Sequence, residues 1–169
     1  MIRLIIRGLV DGALSSLGVV IGASLSNDTA IVLSAGLSGA VANGLSNIMA
    51  AFTAEKTGRY LDLKKLEKKM MKSLKGTRLE RSIEREVLKG GVFDGIASIF
   101  GGALPVIPFI FMSGNAALYS SIVLVGVLAA ILGIKTSLHS RENMLFSVVK
   151  MLVFTFVTAG ICVSIQLFF

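Results

Sequence analysis

Two aspartates, Asp11 and Asp94, stand in matching words, Leu9-Val10-Asp11-Gly12 and Val92-Phe93-Asp94-Gly95, near the same end of two long apolar stretches. A carboxylate at membrane depth is costly to keep and is more often functional than decorative. Such a group binds either a proton or a cation, and burial eases the exchange of one for the other. The chemistry implied is ion movement coupled to proton movement. The competing reading is that each carboxylate bonds a nearby hydroxyl, Ser15 or Ser98, or caps a neighbouring helix.

Other polar side chains reach the same level. At a rise of about 1.5 Å per residue, Asn43 and Asn47, near the end of a second stretch running the opposite way, come level with Asp11, and Asp94 enters from that side with Met49 close by. Oxygen ligands with an occasional thioether suit Fe²⁺ or Mn²⁺ better than Zn²⁺ or Cu⁺, which prefer thiolate or imidazole. Cys162 is the only cysteine and sits in an apolar stretch, which excludes an intramolecular disulfide and reads as packing. His139 stands alone in a polar loop and reads as a surface residue.

The elements that must hold these groups are membrane helices. Hydrophobic residues make up 54% of the 169, and mean hydropathy is +0.82, so lipid must take up most of the surface. With about 20 apolar residues per span, five helices are expected near 4–25, 29–52, 91–112, 116–135 and 145–168. The first is too long for a cleavable signal and carries an Asp. The expected fold is an all-α integral membrane protein: spans 1 and 2 in 1–54, a helical insert in 55–90, and spans 3 to 5 in 91–169.

Residues 55–90 hold 12 of the 17 Lys and Arg and 6 of the 10 Asp and Glu, hence +6 of the net +7. Arg3, Arg7, Lys135 and Arg141 lie at the same ends of the spans, whereas 25–29 and 113–117 carry no Lys or Arg. The positive-inside rule places the N-terminus and the insert in the cytoplasm and the C-terminus outside. Basic segments beside spans meet anionic headgroups rather than nucleic acid, so lipid is an expected partner and nucleic acid is not.

Residues 8–23 laid on 91–106 match at Gly8/Gly91, Asp11/Asp94, Gly12/Gly95, Ser15/Ser98 and Gly18/Gly101, an offset of 83. Two parallel two-helix repeats plus a fifth helix are expected. Gly8 with Gly12, Gly18 with Gly22, Gly36 with Ala40 and Gly44, and Gly91 with Gly95 are small-xxx-small steps that let backbones approach closely. Pro105 and Pro108 should kink the third span and free carbonyls there. The insert reads as two amphipathic helices broken at Gly76, with stripes Leu63, Leu66, Met70, Leu74 and Leu79, Ile83, Val87. Their apolar faces need the other helix, a second subunit or the lipid surface.

The Asp-Gly opening of the first span, Gly44-Leu45-Ser46-Asn47 closing the second, the charged insert, and Asp94-Gly95 followed by Pro105 and Pro108 together resemble the vacuolar iron transporter family, over nearly the whole chain. The resemblance implies five spans, a homodimer with the metal path between subunits, and exchange of Fe²⁺ or Mn²⁺ for protons on export from the cytosol. It implies no tightly bound cofactor, the ion being the cargo. It puts the first-helix ligand on Asp11 and metal-gathering carboxylates among Glu55, Glu67, Glu80, Glu84 and Glu86. Asn47 and Ala51 stand where the family has Met and Glu; Met49 could supply the sulfur and Glu55 the carboxylate. Ordinary salt bridging to Arg81, Arg85 and the lysines competes with the metal role of the insert glutamates.

Two rival functions remain at this level. An aspartyl intramembrane protease would need both aspartates as acid and base, but the chain has no Gly-x-Gly-Asp word, and no enzymatic activity is expected. A non-transporting membrane scaffold or lipid-binding protein of the same fold is the alternative to a transporter.

Overall fold

The computed structural model describes residues 2–71, 73–75, 77–140 and 143–168. They form six helices, α1 (Ile2–Ala23), α2 (Thr29–Met70), α3 (Arg78–Ala103), α4 (Pro108–Phe111), α5 (Asn115–Ser140) and α6 (Met144–Phe168), with no strand among the described residues. Five segments are long and apolar enough to cross a bilayer: Ile2–Ser26, Thr29–Met70, Arg78–Phe111, Asn115–Leu138 and Met144–Phe168. The protein is a multi-pass integral membrane protein.

Helix α2 runs unbroken for 42 residues, about 63 Å at 1.5 Å per residue, roughly twice the hydrocarbon thickness of a bilayer. Its basic half therefore stands out of the membrane as a continuation of the span, and α3 returns beside it. The insert is thus the end of one spanning helix and the start of the next. Its break at Gly76 lies outside the described residues. Asp28 caps α2, its Oδ1 accepting from the Ala30 N–H at 2.8 Å. At the hairpin tip Met71 adopts the left-handed region (φ 49°), and the Glu67 carboxylate accepts the Leu74 N–H at 2.6 Å. Thr77 opens α3 by accepting from the Glu80 N–H, the Thr-x-x-Glu start of a capping box. Of the two apolar stripes, Leu63 and Val87 are buried, while Leu66, Met70 and Leu79 stay exposed.

Within the membrane α1 and α2 flank α3, and α5 and α6 close the other side of α1. Glycines set the spacing: a Cβ on Gly8 or Gly12 would overlap the carbonyl of Asp94 or Ser98, and one on Gly95 would sit 2.6 Å from the Gly44 carbonyl. These steps bring backbones into direct contact, as the small-residue pattern predicts. Gly22 differs, with nothing within 4 Å. Although Gly8 and Gly12 meet α3, their counterparts Gly91 and Gly95 meet Ile48 and Gly44 of α2, so the matching words have different neighbours.

Beyond Ala103 a 3-10 turn, Leu104–Val106, leads into α4. This is the interruption expected from the prolines, and it is buried: the Ser121 hydroxyl donates to the freed Pro105 carbonyl at 2.6 Å. Val20, Val32, Val106, Phe109, Ala117 and Leu118 pack around it. Ala13, Leu17, Ile21, Val125 and Ala159 form a second core between α1, α5 and α6. Helix α5 extends to Ser140 and takes in His139, which the polar sequence had placed in a loop; the His139 side chain lies outside the described residues, as does Arg141.

Candidate ion site

Helix periodicity and close packing together assemble a polar cluster from three helices. Asn43 and Asn47 are one turn apart on α2 and both donate through Nδ2 to the same Asp11 oxygen, at 3.1 and 2.7 Å. Asn43 Nδ2 also donates to Ser98 Oγ at 3.0 Å. Gly12 makes this possible, because only a glycine lets α1 lie on the α3 backbone at Ser98. Asp11 forms no salt bridge within 4 Å among the described residues; it accepts the two amides, and Arg7, one turn away, acts on it only through space. Its side is exposed on the single chain, whereas Ser98 is fully buried.

Asp94 has a different environment. It is 0% exposed, and Arg7 grips it with two donors, Nε at 3.3 Å and Nη2 at 2.5 Å. A carboxylate so deeply buried requires such a partner. Arg7 and Asp11 are four residues apart on α1, as are Asp94 and Ser98 on α3, so the parallel helices face each other as a two-rung ladder: ion pair below, carboxylate and hydroxyl above, with Asn43 between the upper pair. Met49, two residues after Asn47, is turned about 200° round α2 and lies 67% exposed. It shares the level of the cluster but not its face.

The carboxylates of the insert are engaged. Arg59 bridges Glu55 at 3.6 Å and Glu86 at 3.3 Å, tying α2 to α3. Tyr60 donates to Glu84 at 2.9 Å, and that hydrogen bond pushes the phenol above its ordinary pKa of 10.0. Glu67 accepts from the tip backbone, and Glu80 lies in the first turn of α3. Glu80 and Glu84 are one turn apart on α3, and Glu84 faces Tyr60. Among the described residues no three His, Cys, Asp or Glu side chains converge as a metal cluster. Between insert and membrane a cavity of about 710 Å³ opens, lined by Arg3, Leu4, Arg7, Glu55, Arg59, Glu86 and Gly90.

Comparison with known proteins decides what this framework belongs to. The VIT family model, that of the vacuolar iron transporters, matches residues 60–166. The chain belongs to the VIT family. It is also 42% identical over 167 residues to an uncharacterized protein of Methanocaldococcus jannaschii, covering 97% of this chain and 87% of that one. VIT proteins are membrane transporters of metal ions rather than enzymes, and transport of a metal ion across a membrane is the activity that membership carries.

The two positions at which the resemblance expects Met and Glu lie on the side of α2 that meets α1 and α3. Asn47, where the resemblance expects a Met, is an amide that bonds Asp11 directly. Ala51 is 1% exposed and packs on α3 near Gly91. Residue types and depth single out Asp11, Asn43 and Asn47, whereas Arg7 reads in the sequence only as a topology signal and Ser98 only as a competing partner. The ladder spacing, Arg7 to Asp11 and Asp94 to Ser98, was the available signal.

Proposed function

We propose that this VIT protein is a proton-coupled exporter of Fe²⁺ or Mn²⁺ working as a homodimer, with Asp11 as the exchanging group and Asn43 and Asn47 as the amides that position it and offer carbonyl oxygens. One observation carries this reading: Asp11, at membrane depth, has two neutral amides, no directly bonded counter-charge among the described residues, and an exposed side. A carboxylate facing acyl chains is costly, so that face needs a cover, and a second copy of the chain supplies one along with a second Asp11. The donor set is oxygen throughout, which favours the harder Mn²⁺ over Fe²⁺. Asp94 is left out of the ligand set because Arg7 holds it. Glu55 and Glu86, in the cavity at the basic end, are the insert carboxylates best situated for a passing ion. By the charge rule that end is cytoplasmic and the C-terminus outside.

The test is uptake of Fe²⁺ and Mn²⁺ into proteoliposomes carrying a pH gradient. Wild-type protein should move ions with counterflow of protons, and Asp11→Asn should cut the rate at least about tenfold, as loss of an essential group does. If neither ion moves and calorimetry finds no Mn²⁺ binding that Asp11→Asn weakens, the scaffold reading takes over.

A further inference from the structure

The cavity at the basic end and the Asp11 cluster are separated by one turn of α1, and Arg7 occupies that turn. Its guanidinium cannot wander, because Asp94 is 0% exposed and would be left as an uncompensated buried charge. Yet the Arg7 side chain is 53% exposed, with its outer side forming part of the cavity wall. The positive end of the pair therefore faces the approach to Asp11, and the negative end is sealed in the α1–α3 seam. Glu55 and Glu86, the cavity's acids, are already shared by Arg59. Residues four apart on a helix lie about 5–6 Å apart at Cβ, so a divalent ion on Asp11 feels a fixed cation one turn away.

We propose that Arg7 is an affinity-setting residue of the ion path: a pinned positive charge at the mouth of the Asp11 site that weakens the hold of the site on a divalent cation. The inference rests on the transport reading above. A transport site must bind well enough to load and weakly enough to release. Arg7 supplies the second half of that requirement, and its pairing with Asp94 keeps the charge in place whether or not an ion is present.

The experiment compares full-length wild type, Arg7→Lys, and the double variant Arg7→Gln/Asp94→Asn, which replaces the ion pair by a neutral amide pair. Mn²⁺ affinity is read by calorimetry in detergent, and KM and maximal rate in proteoliposomes. The neutral pair should bind Mn²⁺ about threefold to tenfold more tightly and lower KM in proportion, with no gain in maximal rate. Arg7→Lys, which keeps the charge, should stay within about twofold of wild type. A merely structural tie would lower folded yield or rate without tightening binding. If the amide pair does not fold, Arg7→Met/Asp94→Leu gives an apolar pair with the same expectation. Unchanged or weaker Mn²⁺ binding in the folded neutral variant, or equal tightening in Arg7→Lys, overturns the inference and leaves the transporter intact. Wild-type protein that binds no Mn²⁺ through Asp11 removes both.

Discussion

At the scale of single residues the cluster divides into one group that carries charge and several that hold it in place. Asn43 bonds both Asp11 and the fully buried Ser98, whereas Asn47 bonds Asp11 alone. Leaving a buried hydroxyl without its donor costs about 1–2 kcal/mol, so Asn43→Ala should lower thermal stability in detergent by that amount. Asn47→Ala should lower it by less than half as much while still weakening Mn²⁺ binding, and equal losses in melting temperature would contradict the network. Asn47→Met introduces a thioether beside Asp11 and should shift preference from Mn²⁺ toward the softer Fe²⁺ in a competition uptake assay. Asp11 was legible in the sequence because a carboxylate within an apolar run is too costly to persist without a proton, an ion or a polar partner to hold. Arg7 was not, since one basic residue near a span end serves the charge rule equally well whether or not it turns inward to Asp94.

At the scale of elements, the glycine spacing named the right helices but could not rank the glycines. Gly12 and Gly22 both belong to small-residue steps of α1, yet Gly12 lies on the Ser98 backbone, whereas a Cβ on Gly22 would meet nothing within 4 Å. Gly12→Ala should therefore destabilise the protein by about 1–3 kcal/mol or more through overpacking. Gly22→Ala should be neutral or stabilising by up to about 1 kcal/mol, because alanine favours helix. Melting curves of the two variants decide it, and a reversed order would refute the α1–α3 contact. The proline break behaved as sequence physics requires, since a freed carbonyl inside a membrane must be satisfied. The identity of its donor, Ser121, depended on α5 docking sixteen residues later and could not be read in advance. The hairpin illustrates another limit. Apolar stripes predicted helices, and helices formed, but nothing in a stripe announces that α2 continues through the membrane surface without a break. Met71, left-handed and 96% exposed at the tip, is where glycine is favoured. Met71→Gly should slow amide exchange in the last turns of α2, corresponding to a gain of about 1 kcal/mol, and faster exchange would contradict that turn geometry.

At the scale of the whole molecule, the exposed faces of the single chain differ in character. The span count, the basic extension and the family pattern could be read from composition and order, because lipid imposes length and hydropathy directly. Which face seeks a partner could not be, because a polar residue on a helix shows its direction only once its neighbours are placed. On α1 that direction is marked by Asp11 and, one turn on, by Ser15, both exposed. Helix α6 shows the opposite character: Leu145, Phe154 and Leu167 are 81%, 67% and 84% exposed and apolar, as a lipid-facing surface should be. A second copy is expected against α1 and not against α6. With Cys162→Ser as background, Ser15→Cys should form a disulfide-linked dimer in native membranes on mild oxidation, since the reaction needs Cα atoms within about 7 Å. Leu145→Cys should remain monomeric under the same conditions. Crosslinking from Leu145→Cys but not from Ser15→Cys would move the seam to α6 and leave Asp11 facing lipid, a placement in which its charge could not be sustained and the ion path would have no second wall.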